Sequence, residues 1–208
     1  MIDFATLATI GAAFVVVASS PGPANLACAT VAMSYGRKTA MIFALGLTLG
    51  LVFWGLLAAL GLGAVLQGSA TVLFVLKLCG AFYLLWLAYQ SGRSALSTQK
   101  QTGPELVAGR WFLRGLILNL SNPKAVFAWM AALSVGLDPN DGLGAVAAAT
   151  GLCAFIGLLN ATGHAWLFSI GGVMAAYRRA RHWFDGVAAS LFALAGLGLG
   201  LIRSAFTR

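Results

Sequence analysis

Two proline-containing motifs interrupt apolar segments of this chain, one in each half. The first is Ser19-Ser20-Pro21-Gly22-Pro23-Ala24-Asn25, and the second is Ser121-Asn122-Pro123-Lys124-Ala125. Proline lacks an N–H group and clashes with the carbonyl four residues before it, so each motif predicts a broken helix. If these helices lie in lipid, each break leaves backbone donors and acceptors that need partners other than bulk water.

The broken helices predict a site for a zwitterion. Pro21 and Pro23 release the carbonyls of Val17 and Ser19, and Pro123 releases the carbonyl of Asn119. Such carbonyls accept hydrogen bonds from an ammonium group. The half-helix after each break presents unpaired N–H groups and a positive dipole end, which attract a carboxylate. An amino acid needs both kinds of partner at once.

Polar side chains at the breaks strengthen this interpretation. Lys124 lies near the middle of its apolar segment, where a charge is costly and is usually functional. We expect it either to bind a substrate carboxylate or to lock the two halves together through backbone dipoles. The side-chain oxygens of Asn25 and Asn122 are candidate acceptors for the ammonium group. The predicted substrate-binding residues are Pro21, Gly22, Pro23, Asn25, Asn119, Asn122, Pro123 and Lys124.

Proton coupling has two candidate residues. His164 lies well within an apolar segment and titrates near neutrality, and Asn160 one turn earlier is its expected partner. The alternative is that His164 only hydrogen-bonds a neighbour. Asp185, close to Arg181, is interpreted as an interfacial charge near a cytoplasmic opening. Lys77 either extends to the membrane interface or takes part in function.

Composition identifies an integral membrane protein, because 60% of residues are hydrophobic and only 9% are charged. A soluble domain is about a quarter charged. The net charge of +8 does not indicate nucleic-acid binding, since the basic residues lie in short loops between apolar runs. Nucleotide-binding, catalytic-triad and zinc signatures are missing from the sequence. We therefore predict a transporter without cofactor or metal, not an enzyme.

Six segments are long enough to span a bilayer, which takes about 20 apolar residues. They predict an all-α polytopic protein with a single transmembrane domain over residues 1–208. A re-entrant first segment would change the number of crossings. The segments are Phe4–Ser34, Thr39–Gly61, Ala70–Gln90, Trp111–Leu137, Leu143–Gly171 and Val187–Ile202.

The loops predict orientation and internal symmetry. Lys and Arg concentrate in the loops after segments one, three and five, which places these loops in the cytoplasm and both termini outside. Repeat 1 covers about residues 1–91 and repeat 2 about 110–208, with a cytoplasmic loop at 92–109. Units of three spans must be inverted relative to each other, and helices 1 and 4 are broken mid-span. Gly46 and Gly50 predict close helix packing, and such small-residue faces also permit a homodimer.

Several motifs resemble the lysine exporter (LysE/RhtB) family of amino-acid exporters. They are Pro21-Gly22-Pro23, Gly36-Arg37-Lys38, Gly46-x-x-x-Gly50, Lys77-x-x-Gly80-x-x-Tyr83-Leu84 and Asn119-x-x-Asn122-Pro123-Lys124. The resemblance adds Lys77 and Tyr83 to the candidate residues. It implies proton-driven efflux of an amino acid or close derivative across the bacterial cytoplasmic (inner) membrane. Few acidic residues favour a neutral substrate, whose identity the sequence leaves open.

Two other functions fit the sequence less well. A metal-ion or small-solute exporter or channel would have only His164 and Cys153 as paired soft ligands, three helical turns apart. A transmembrane thiol–disulfide relay would use Cys28 after the first break, but the equivalent position after the second break is Met130.

Overall fold

The computed structural model describes residues 2–68, 70–97, 109–137 and 141–201. These residues form helices and no strands, which confirms the predicted all-α class. The helices are α1 (Phe4–Ser19), α2 (Pro23–Gly68), α3 (Ala70–Leu96), α4 (Trp111–Leu120), α5 (Pro123–Gly136), α6 (Leu143–Leu167) and α7 (Val173–Leu201).

Both predicted helix breaks occur at the proline motifs. α1 ends at Ser19 and α2 begins at Pro23, while α4 ends at Leu120 and α5 begins at Pro123. The axes of α4 and α5 bend by 60°. Proline suits the first turn of a helix because its missing N–H would have no intrahelical acceptor there. At each break, the proline motif therefore both ends one helix and begins the next.

A sharp turn inside α2 separates the first and second predicted segments. Gly36 has φ 81° and ψ 172°, whereas the residues on either side are helical. This positive φ favours glycine, which has no Cβ to clash with the backbone. The turn falls in the Gly36-Arg37-Lys38 motif, where the sequence predicts the first cytoplasmic loop.

Helices α3 and α7 correct two predicted boundaries. α3 continues to Leu96, into the predicted loop 92–109, and α7 begins at Val173 instead of Val187. The extensions are polar, but they pack against each other. Ser94 Oγ of α3 donates to Asp185 Oδ2 of α7 at 2.7 Å, so polar contacts replace the apolar ones on which the predicted boundaries rested. Residues 98–108 and Ile202 lie outside the described part of the chain.

Glycines allow α2 and α4 to pack with their backbones in contact. A Cβ built on Gly46 would overlap the carbonyl oxygen of Phe112, and one on Gly115 would overlap that of Phe43. A Cβ on Gly50 would lie 3.0 Å from the carbonyl oxygen of Leu116. The predicted role of Gly46 and Gly50 in close packing is confirmed.

Large apolar side chains cover much of the outside, as Leu60, Phe82 and Leu194 illustrate. Within the described residues, Pro23–Gly61 and Leu143–Leu167 are each long and apolar enough to cross a membrane. The bent pair Trp111–Leu120 and Pro123–Leu133 is a third such element if it forms one span. The arrangement of six spans in two inverted repeats stays a prediction.

Candidate functional site

Lys124 joins the two helix breaks. Its Nζ donates to the Ser20 carbonyl at 2.7 Å, to Ser20 Oγ at 2.6 Å and, at a longer 3.5 Å, to the Pro21 carbonyl. An ammonium group has three N–H donors, so these three acceptors match it. The second break therefore contacts the first through a single cation, although the motifs are about one hundred residues apart in sequence.

Gly22 makes this close approach possible. A Cβ at this position would lie 3.1 Å from Lys124 Nζ and 3.2 Å from its Cδ. Any larger residue would compete with the lysine side chain for the space beside the first break. The glycine of the Pro-Gly-Pro motif is thus a contact residue of Lys124.

The carbonyls that the prolines release are not the ones that Lys124 binds. The Val17 carbonyl accepts a hydrogen bond from Ser20 Oγ at 2.8 Å. The Asn119 carbonyl accepts one from the Asn122 N–H at 3.1 Å. This corrects the prediction that both carbonyls are open to substrate, because the chain folds back at each break and satisfies them locally. The Ser20 and Pro21 carbonyls face the second break instead.

Two asparagines on different helices donate hydrogen bonds to the backbone carbonyls of the first break. Asn25 Nδ2 donates to the carbonyls of Ala18 at 2.7 Å and Ser20 at 3.2 Å. Asn160 Nδ2, from α6, donates to the same Ala18 carbonyl at 3.2 Å and to Asn25 Oδ1 at 3.3 Å. Sequence reasoning treated Asn160 only as a partner of His164. The available signal was an amide side chain in the middle of an apolar segment.

Two other asparagines hold the second break. Asn122 Oδ1 accepts from the Lys124 backbone N–H at 3.1 Å and so caps α5. Asn119 Nδ2 donates to the Leu47 carbonyl at 2.6 Å, which ties α4 to α2. Asn122 Nδ2 lies 3.5 Å from Asn119 Oδ1, and both residues are buried. The predicted asparagines therefore meet at the junction, where they position the broken backbone.

His164 is linked to the first break through Asn160. Its Nδ1 lies 2.8 Å from the Asn160 carbonyl oxygen, and its ring stacks on Phe168 with centroids 5.7 Å apart. The predicted pairing with Asn160 is confirmed, although the contact uses the main-chain carbonyl. The Asn160 amide meanwhile reaches the first break.

Asp185 is buried between α3 and α7, and its position at the membrane interface stays a prediction. Only 1% of its surface is exposed. Its Oδ2 accepts from Ser94 Oγ of α3 at 2.7 Å and from Arg181 Nε at 3.2 Å. The carboxylate is buried because the polar ends of α3 and α7 pack together around it, a contact that the position of Asp185 in the sequence does not disclose.

The two residues added by the resemblance lie on α3. Tyr83 is buried, and its ring stacks on Phe127 of α5 with centroids 4.4 Å apart. Lys77 also belongs to α3, but its side chain lies outside the described part of the structure. Tyr83 thus packs against α5 at Phe127, which lies about one helical turn after Lys124.

Two cavities meet at the junction and share Gly22, Asn122 and Lys124. The smaller has a volume of about 60 Å³ and is lined by apolar side chains together with Asn25, Asn119 and Asn160. The larger has a volume of about 770 Å³ and extends along α3. Its lining includes all three prolines of the breaks, Tyr83, Gln90, Ser94 and Asp185. Lys124 thus lines both cavities.

Curated relatives of similar length share much of this sequence. The chain is 36% identical over 204 residues to the threonine efflux protein of Salmonella typhi, covering 94% of this chain and 97% of that protein. It is 35% identical over 201 residues to the threonine efflux protein of Escherichia coli K12, with the same coverage. The homoserine/homoserine lactone efflux protein of Salmonella typhimurium is 36% identical over 118 residues, 55% of each chain. No solved structure matches the chain significantly.

Residues 15–203 match the profile of the LysE type translocators. This match covers most of the chain, and the resemblance inferred from the motifs is confirmed. The protein is accordingly a membrane transporter and not an enzyme. The profile match and the relatives that are similar over most of their length both show that the chain belongs to the LysE type translocator family.

Proposed function

We propose that this protein exports an amino acid from the cytoplasm by alternating access at the junction of its two helix breaks. The observation that carries the proposal is the contact of Lys124 with Ser20, which unites both breaks in one site. The relatives named for threonine efflux, similar over 94% of the chain, support threonine or a comparable small neutral amino acid as substrate.

A zwitterion can replace the contact between Lys124 and Ser20 group by group. The substrate carboxylate binds Lys124 Nζ, aided by the N–H groups at the start of α2. The Ser20 carbonyl, which Lys124 then releases, accepts from the substrate ammonium. Each group of the junction exchanges an internal partner for one on the substrate, so binding need not leave a buried polar group unsatisfied.

This exchange also offers a way to couple binding to movement. Lys124 holds α5 against the first break by hydrogen bonds to Ser20. A substrate that takes over both sides of this contact separates the breaks while remaining between them. The two halves are then free to move relative to each other around the substrate, as alternating access requires.

We further propose one transmembrane domain of two inverted repeats, α1–α3 and α4–α7, in the bacterial inner membrane. In this arrangement α3 and α7 are equivalent third spans, and their mutual packing through Ser94 and Asp185 supports such a pairing. The basic loops after spans one, three and five are cytoplasmic, and both termini are outside. A homodimer would need a surface other than Gly46 and Gly50, because both glycines pack against α4 within the chain.

The proton gradient is the proposed driving force, and His164 is the proposed coupling residue. Its Nδ1 contacts the Asn160 carbonyl, and Asn160 in turn contacts the first break. A proton on His164 can therefore change hydrogen bonds that end at Ala18 and Asn25. Asp185 is the second candidate for this role.

Transport by reconstituted vesicles tests the function. Vesicles that contain wild type, Lys124→Ala or Asn122→Ala are loaded with labelled L-threonine. The rate of threonine efflux is measured for each protein, with the proton gradient intact and with it collapsed. We expect Lys124→Ala to lose roughly tenfold or more in rate, since hydrogen bonds to a charged group contribute about 1.5–3 kcal/mol. Lys38→Ala, at an exposed lysine, is the matched control. Unchanged efflux in both junction variants would contradict the proposed site.

A further inference from the structure

We propose that Asp185 forms a separate subsite in the larger cavity, where it binds the ammonium group of the substrate before the substrate reaches the breaks. This proposal rests on the proposed export function and adds a residue and a step to it. The smaller cavity, Lys124 and the asparagines belong to the junction already described. Asp185 lies outside that junction.

One oxygen of the Asp185 carboxylate is hydrogen-bonded, and the other is buried without a partner among the described residues. Oδ2 accepts from Ser94 Oγ at 2.7 Å and from Arg181 Nε at 3.2 Å. Arg181 Nη2 also donates to Ser94 Oγ at 2.6 Å, so the two side chains that hold the carboxylate also bind each other. Oδ1 is buried and has no hydrogen-bond partner within the described residues. Asp185 also lines the larger cavity, so a donor that enters this cavity and displaces the side chains covering Oδ1 would supply the missing hydrogen bond.

The cavity leads from this oxygen to the breaks along one face of α3. Its α3 residues recur every three or four positions, as one helical face requires. Tyr83 lies at one end and Ser94 at the other, eleven residues and therefore roughly 16 Å apart at 1.5 Å per residue. The α3 residues in the lining are Tyr83, Trp86, Leu87, Gln90, Ser91 and Ser94.

This distance makes Asp185 a site of its own. Tyr83 stacks on Phe127, one turn from Lys124, whereas Ser94 bonds Asp185. An α-amino acid carries its ammonium and carboxylate on a single carbon, so it cannot contact both ends of the cavity at once. A substrate that uses both ends must use them in succession, Asp185 first if the cavity fills from the predicted cytoplasmic side.

The hydrogen-bonding chemistry of Asp185 Oδ1 determines which group of the substrate it can bind. A carboxylate oxygen only accepts hydrogen bonds, so its partner must be a donor, and a cationic donor binds most strongly. The ammonium is the one cationic group of a neutral amino acid. Trp86 and Tyr83 line the same cavity, and aromatic side chains favour cations as well. The subsite therefore distinguishes an amine from an uncharged group at the α-carbon.

Everted membrane vesicles test this selectivity, because their cytoplasmic face is outside. Uptake of labelled L-threonine is competed with unlabelled L-threonine or with its 2-hydroxy analogue, 2,3-dihydroxybutanoate. In wild type we expect threonine to compete far better. In Asp185→Asn we expect the KM for threonine to rise roughly tenfold and the difference between the two competitors to shrink by a similar factor. Asp3→Asn, at an exposed carboxylate, is the matched control and should behave as wild type.

Asp185→Asn removes the carboxylate to which Arg181 Nε donates, so altered folding would also explain a loss of selectivity in that variant. A second variant separates these two explanations. Arg181→Gln/Asp185→Asn removes both charges and should lose the same selectivity, whereas Arg181→Gln alone should keep it. If the double variant still prefers threonine as strongly as wild type does, the subsite does not exist. Absence of threonine uptake in wild-type vesicles would instead overturn the export function, a result distinguishable from the first.

Discussion

At the scale of single residues, Ser20 provides both its carbonyl and its hydroxyl to Lys124. Ser20→Ala removes the hydroxyl and leaves the carbonyl, so the junction should weaken without opening. We expect threonine efflux to fall roughly tenfold, because a hydrogen bond to a charged group contributes about 1.5–3 kcal/mol and about 1.4 kcal/mol corresponds to a factor of ten. Ser19→Ala changes an exposed neighbour and should leave efflux unchanged. Equal loss in both serine variants would show that the effect is not specific to the Lys124 contact.

The residues of the junction were predictable to the extent that proline and charge mark them. Pro21, Pro123 and Lys124 stand out because each is unfavourable in an apolar helix unless it has a role. Ser20 and Asn160 are polar residues in apolar segments, which is a weaker signal because serine and asparagine bond to many kinds of neighbour. Their roles depend on the rotation of α1 and α6 about their axes, which a single sequence does not determine.

Asn25 and Asn160 should be energetically coupled, because Asn160 Nδ2 donates to Asn25 Oδ1 and both amides donate to the Ala18 carbonyl. In a double-mutant cycle with Asn25→Ala and Asn160→Ala, we expect an interaction energy of about 0.5–3 kcal/mol. Thermal unfolding in detergent measures it. Thr9 bonds only within α1, to the Ala5 carbonyl, so Thr9→Ala combined with Asn160→Ala should be additive. Additivity in the asparagine pair would refute the shared network.

At the scale of helices, the contact of α2 with α4 positions the second break. Gly46→Ala would place a methyl group against the Phe112 carbonyl, so one helix must shift. We expect a loss of about 1–3 kcal/mol in stability and a lower unfolding temperature in detergent. Gly151→Ala, in α6, has open space around it and should be neutral or slightly stabilising. A Gly46 variant as stable as the Gly151 variant would argue against backbone contact.

Helix ends at prolines were predictable, whereas helix ends in polar sequence were not. Proline fixes the start of α2 and α5 through local geometry alone. The additional turns of α3 and α7 depend on the contact of Ser94 with Arg181 and Asp185, which lie about ninety residues later in the sequence. Apolar length therefore underestimated both helices, and the same contact buries the Asp185 carboxylate inside the protein.

At the scale of the whole molecule, Lys124 separates two cavities of unequal size. The larger reaches the junction from the ends of α3 and α7, and the smaller lies between the junction and the apolar faces of α1, α2 and α6. If the ends of α3 and α7 are cytoplasmic, this arrangement corresponds to a transporter open toward the cytoplasm. The side of the membrane on which the larger cavity opens thus becomes a measurable property of the fold.

Thiol labelling determines that side. In a background lacking the three native cysteines, Gln90→Cys places a thiol in the larger cavity and Gly142→Cys places one at the exposed start of α6. We expect a membrane-impermeant maleimide to label Gln90→Cys in everted vesicles and Gly142→Cys in intact cells, because the loops after spans one, three and five carry the basic residues. Threonine should slow labelling of Gln90→Cys alone, since substrate passes this position. Labelling of Gln90→Cys from outside and of Gly142→Cys from the cytoplasm would reverse the orientation, and with it the direction from which substrate reaches Asp185.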